Sequence, residues 1–125
     1  MKKMTLLFMA GLLSVSSLSQ AQTAYYGEPT TISGKLLKIK SLHPNQEEFG
    51  GNQIAVALNQ QLNVDGEDGL VKTKLIQLVD SDPRYSSLFK KEGKAVQIRC
   101  SELFRGHTAH HTTKVLCDVE SVKYK

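Results

Sequence analysis

The chain has no tryptophan, few aromatic residues of any kind (6%), 3 prolines and 2 cysteines. Sparse aromatics remove the stacking platforms that a nucleic-acid binder interleaves with clustered Lys and Arg, so nucleic acid is not an expected partner. Few prolines together with 40% apolar content exclude a disordered chain and point to one folded unit. No apolar run approaches the ~20 residues that span a bilayer. No Gly-x-Ser-x-Gly elbow and no His-Glu-x-x-His pair occurs, which argues against an enzyme. At 125 residues, two catalytic domains do not fit.

What is present begins with a leader. Lys2 and Lys3 precede an apolar stretch from Met4 to Leu13, and Ser19 and Ala21 suit the −3 and −1 positions of a cleavage site. Residues 1–21 are therefore expected to be a signal peptide and residues 22–125 a single β-barrel domain, periplasmic or secreted. A membrane anchor is the competing reading, but the apolar stretch is too short for one. Without Lys2 and Lys3 the formal charge falls from +4 to +2, so net charge ceases to speak for acidic partners.

An oxidising compartment gives Cys100 and Cys117 the character of a disulfide rather than of a redox pair, which prefers Cys-x-x-Cys spacing. Val96, Ile98 and Cys100 alternate on one strand, as do Val115, Cys117 and Val119 on another. A hairpin centred on Thr108 and Ala109 would set Cys100 directly opposite Cys117 and Ile98 opposite Val119. Such a bridge contributes on the order of 3 kcal/mol.

The remaining elements follow from periodicity. Residues 31–40 form a strand whose apolar face switches near Gly34, with Ile32 and Leu36 on one side and Leu37 and Ile39 on the other. A polar loop over 41–52, a strand over 53–59, an acidic turn at Asp65, Gly66, Glu67 and Asp68, and a strand over 72–79 come next. Asp82 and Pro83 open a short helix carrying Tyr85, Leu88 and Phe89, and Gly93 follows it. Three strands, a helix and two strands is the order of an oligonucleotide/oligosaccharide-binding (OB) barrel. The expected fold is mainly β: a small five-stranded OB-like barrel with one short helix between strands 3 and 4. Lys35, Lys38 and Lys40 would join Lys72 and Lys74 in a basic patch if the first and third strands were neighbours.

The densest chemistry lies in Phe104-Arg105-Gly106-His107-Thr108-Ala109-His110-His111-Thr112-Thr113, which holds three of the 4 histidines. The pattern Phe-x-x-His-Thr-x-His-His-x-Thr, followed by Val115-Leu116 and Asp118-Val119, resembles the C-terminal hairpin of a family of small exported bacterial domains of unknown function (DUF4431). Arg105, Gly106 and Thr112 depart from that family's common residues. The resemblance implies an exported barrel-like domain and brings no activity with it.

Imidazoles bind zinc, copper or nickel, and His107, His110 and His111 are the candidate ligands, with His43, Glu47 or Glu48 as a further donor. Against this, adjacent His110 and His111 on extended backbone point to opposite faces. The preferred expectation is a non-enzymatic domain without a cofactor. It would bind a protein partner, as an inhibitor or immunity-type protein, or a cell-envelope component through Phe104, Arg105, His107, His110 and His111. A zinc- or copper-binding protein is the alternative.

Overall fold

Alternation of buried and exposed positions organises the computed structural model into strands β1 (Gln22–Tyr25), β2 (Thr30–Lys40), β3 (Asn52–Gly66), β4 (Gly69–Val79), β5 (Ala95–Arg105) and β6 (Val115–Tyr124), with helix α1 (Arg84–Phe89) between β4 and β5. The structure describes residues 22–40, 52–67, 69–80, 84–106 and 111–125. The expected leader over 1–21 lies outside them. So do most of the 41–52 loop with His43, Glu47 and Glu48, the Asp82-Pro83 helix start, and His107, Thr108, Ala109 and His110.

The strands run β1-β3-β2-β5-β6-β4, and an additional β3–β4 pairing closes the ring. The closed barrel therefore has five strands, β2 to β6, with α1 inserted between its third and fourth, in the OB order. β1 is a sixth strand outside the ring, where the sequence suggested only a lead-in. It pairs in parallel with Leu62 to Asp65 of β3. Beyond it, Tyr26 donates from its backbone to Asp65 O (3.2 Å) and Gly27 to Leu103 O (2.9 Å), so the segment ties the far end of β3 to the end of β5. β2 and β4 flank β3 on opposite sides, so the lysines of the first and third barrel strands do not lie on neighbouring strands. Lys38 instead pairs with Glu92 through its ammonium (3.7 Å).

One face of each barrel strand supplies the core. Ile32, Leu36, Ile54, Val56, Ile76, Leu78, Val96, Ile98 and Leu103 are buried in a single cluster, and Leu88 of α1 plugs it with Tyr85 and Phe89 packed alongside. The apolar face of β2 does not switch into the barrel: Ile32, Gly34 and Leu36 all stay inward, Leu37 is 40% exposed and Ile39 is half-buried on the outside. Gly34 marks a change of neighbour instead. It pairs with both Val96 of β5 and Leu58 of β3, and a Cβ there would sit 2.0 Å from Ala57 O. Two strands approach this point too closely for any side chain.

Cys100 and Cys117 form the expected disulfide, with Cα atoms 5.5 Å apart. They are not directly opposed as the hairpin reading had it. Cys100 faces Val119, Cys117 faces Leu103 and Ile98 faces Val122. The bridge therefore runs diagonally, between a residue and the one two positions from its partner. The register steps on both sides of Cys100, leaving Glu120 and Ser101 as extra residues in their strands, and the Ser101 hydroxyl donates to Asp118 O (3.2 Å). The turn also sits farther along the chain than the assumed centre, because Arg105 pairs with Val115 and Gly106 N donates to Lys114 O (3.2 Å).

Asp80 and Arg84 fasten the helix. Arg84 Nε and Nη2 donate to the two Asp80 carboxylate oxygens (2.5 and 3.3 Å), and Nη1 reaches Glu120 O (3.1 Å) on β6. Gly93, in the left-handed region at φ 89°, turns the chain into β5. No helix among the described residues is long and apolar enough to cross a membrane.

Candidate functional site

The His-rich segment follows β5 and precedes β6, and its described ends lie against the outside of the barrel. Registers place Phe104 opposite Leu116, Leu116 opposite Gln77, Gln77 opposite Ala55 and Ala55 opposite Leu37. These five residues form one row across β5, β6, β4, β3 and β2 on the solvent side of the core. Yet Ala55 and Leu116 are fully buried and Gln77 is 1% exposed. The cover over Gln77 comes from residues 112 and 113, which fold back and bond to it.

Gln77 is the one polar residue buried as a whole, backbone and side chain together, among the described residues. Its backbone N–H donates to Thr113 Oγ1 (3.1 Å), and its Oε1 accepts from the Thr112 backbone N–H (2.7 Å). Its Nε2 donates to Gln53 Oε1 (3.4 Å), which also accepts from the Tyr85 hydroxyl (3.2 Å). Thr113 Oγ1 in turn donates to Val115 O (2.6 Å). A buried amide must find partners for both its carbonyl and its amino group. Here they come from the start of β3 and from the root of the His-rich turn, and the helix joins the network through the Tyr85 hydroxyl on Gln53. Burial raises the Tyr85 phenol above its ordinary value of 10.0, with the Asp80 charge adding and a backbone hydrogen bond from Ile54 opposing.

Of the residues singled out from sequence, the structure brings Phe104 and His111 together, with ring centroids 5.7 Å apart in an edge-to-face arrangement. Arg105 is exposed and acts electrostatically on Tyr26, whose phenol is raised by burial and held back by the Arg105 charge. Gly106 is needed where it stands, because a Cβ would meet Thr113 O at 2.8 Å. His107 and His110 lie outside the described residues. Among the described residues no three His, Cys, Asp or Glu side chains group as metal ligands.

Gln53, Gln77 and Tyr85 were not legible as site residues. Gln77 sits in a run of alternating apolar residues where one amide reads as an outward-facing position, and nothing in the sequence shows that residues 112 and 113 return to cover it. A buried hydroxyl among the described residues, Thr112 Oγ1, has no hydrogen-bond partner.

Residues 75–123, from β4 through α1 and β5 to β6, match the family model of a domain of unknown function (DUF4431). The chain thus carries a DUF4431-like domain. A comparison with curated proteins returned no match. Among solved structures, the small single-stranded DNA-binding protein from Streptomyces coelicolor is similar at 7% identity and a TM-score of 0.39, over 78% of this chain and 93% of that one.

Proposed function

We propose that this DUF4431-like domain is an exported, non-enzymatic binding protein that holds a protein partner or a cell-envelope component on the surface around its His-rich turn. The observation that supports this reading is the pair of bonds from Gln77 to Thr112 and Thr113. They fix the base of the turn on the barrel wall, so Phe104, Arg105 and His111 are presented with little ordering left to pay on association. A rigid scaffold carrying a polar, partly aromatic loop is a common arrangement for recognition. Export follows from the leader reading of residues 1–21 and agrees with a disulfide, which persists in oxidising compartments.

The test is capture from periplasmic extract on immobilised wild-type protein and on a His107→Ala/His110→Ala variant, with an Arg105→Ala arm. A partner that wild type retains and the variants release supports the surface. No retained partner, or retention indifferent to these changes, overturns it. Metal content of the untagged protein separates the alternative: stoichiometric zinc or copper lost in the His107→Ala/His110→Ala variant would replace the protein-partner reading with a metal site.

A further inference from the structure

A second feature lies on a different part of the barrel, away from the His-rich turn. β3 pairs with β2 only from Asn52 to Leu58, and its ladder with β4 breaks between Ala57 and Leu62. Leu58, Asn59, Gln60 and Gln61 therefore stand against Lys74 alone on the β4 side. This is a bulge several residues long, and bulges re-aim side chains near sites. On the other side, Thr31 to Ser33 of β2 pair with β5, and the β2–β3 ladder stops short of them at Gly34.

A cleft of about 330 Å³ opens between these segments, within the size range of small-molecule sites. Its rim carries four carboxamides, Gln22, Asn59, Gln60 and Gln61, with the hydroxyls of Thr31 and Ser33. The floor is apolar, from the buried side chains of Ile32, Leu58 and Leu62. The lining includes no acidic side chain and no aromatic ring, and Lys125 carries its one charged side chain. Gln61 Nε2 donates to Asn63 Oδ1 (3.3 Å), which orients that amide.

We propose that this cleft binds a neutral oligosaccharide segment. A carboxamide offers a carbonyl acceptor and two N–H donors in one plane, so neighbouring amides can donate to and accept from adjacent sugar hydroxyls. The apolar floor suits the C–H face of a sugar ring. Among the lining side chains an anionic ligand would find a single cation and a cationic ligand no counter-charge. A nucleic-acid base would find no ring to stack on. An extended peptide would draw its affinity from main-chain pairing along a strand edge and leave the four carboxamides without a role. The site is independent of the surface around Phe104 and Arg105, so the two stand or fall separately.

The experiment is a titration of the protein, expressed from the full chain and isotope-labelled, with chitotetraose, cellotetraose and maltotetraose, followed by backbone amide shifts. A neutral Gly-Ser repeat peptide serves as the competing class. We expect saturable shifts confined to Asn59–Leu62 and Thr31–Ser33 with a Kd of about 1 mM or tighter for at least one sugar. Asn59→Ala/Gln60→Ala, at exposed positions, should weaken that binding about tenfold or more and leave the spectrum otherwise unchanged. Lys72→Ala should have no effect. The proposal is overturned by the absence of saturable shifts with every sugar, by binding that the double variant leaves intact, or by occupation of the cleft by the peptide and not by the sugars.

Discussion

Gln77 Oε1 accepts a hydrogen bond from the Thr112 backbone N–H at 2.7 Å, joining the C-terminal part of β4 to a residue 35 positions later. Gln77→Leu preserves much of the bulk but leaves that N–H and the Gln53 carbonyl short of a partner in a buried place. The expected cost is about 1–3 kcal/mol, read as a lower urea midpoint with an unchanged slope. Amide exchange at Thr112 should speed up more than exchange in the core strands, because the turn base loosens first.

Thr112 carries the opposite situation in its side chain. Its Oγ1 is buried without a partner among the described residues, so the hydroxyl has lost water and gained nothing. Thr112→Val keeps the shape and removes the polar atom, and stability should rise by up to about 1 kcal/mol. A fall in the urea midpoint would show that this hydroxyl is satisfied in solution.

Cys100 and Cys117 are both fully buried and bridged. A Cys100→Ala/Cys117→Ala variant should lose on the order of 3 kcal/mol through the freed loop, and somewhat more through the sulfur volume removed from the core. Reductant should lower the denaturation midpoint of the wild type and leave that of the variant unmoved.

Tyr85 and Tyr26 set an alkaline limit. Both phenols are raised above 10.0 mainly by burial, so the folded chain holds these protons more tightly than the unfolded chain. Their contribution is complete below the unfolded value and is lost as pH rises through the folded one. Stability should fall with pH above about 10, and Tyr85→Phe should make that fall shallower while costing about 1 kcal/mol at neutral pH through the lost bond to Gln53. A phenolate absorbance titration with ordinary midpoints for every tyrosine would contradict this.

Period-2 alternation was enough to locate the five barrel strands, and helical spacing the apolar positions of α1, because each element turns a regular apolar face to the core; the second buried face, at Ala55, Gln77 and Leu116, was not legible that way. It did not reveal β1, since four residues with Ala24 as their one buried side chain carry too short a pattern. The turn register was misplaced because alternation fixes which face a residue occupies and leaves the loop length free, and two ladder irregularities beside Cys100 then shift the pairing locally. The Asn59-Gln60-Gln61 run reads as a polar end to a strand. Only the three-dimensional break in both ladders turns it into the rim of a cleft.

The bonds at the base of the turn have a further consequence. Gly106 is tied to Lys114, and Thr112 and Thr113 are tied to Gln77, so both ends of the 107–110 stretch are anchored by groups outside it. Substitutions at those four positions are therefore expected to leave both anchors in place, so the tip can vary while the folding energy stays with the strands.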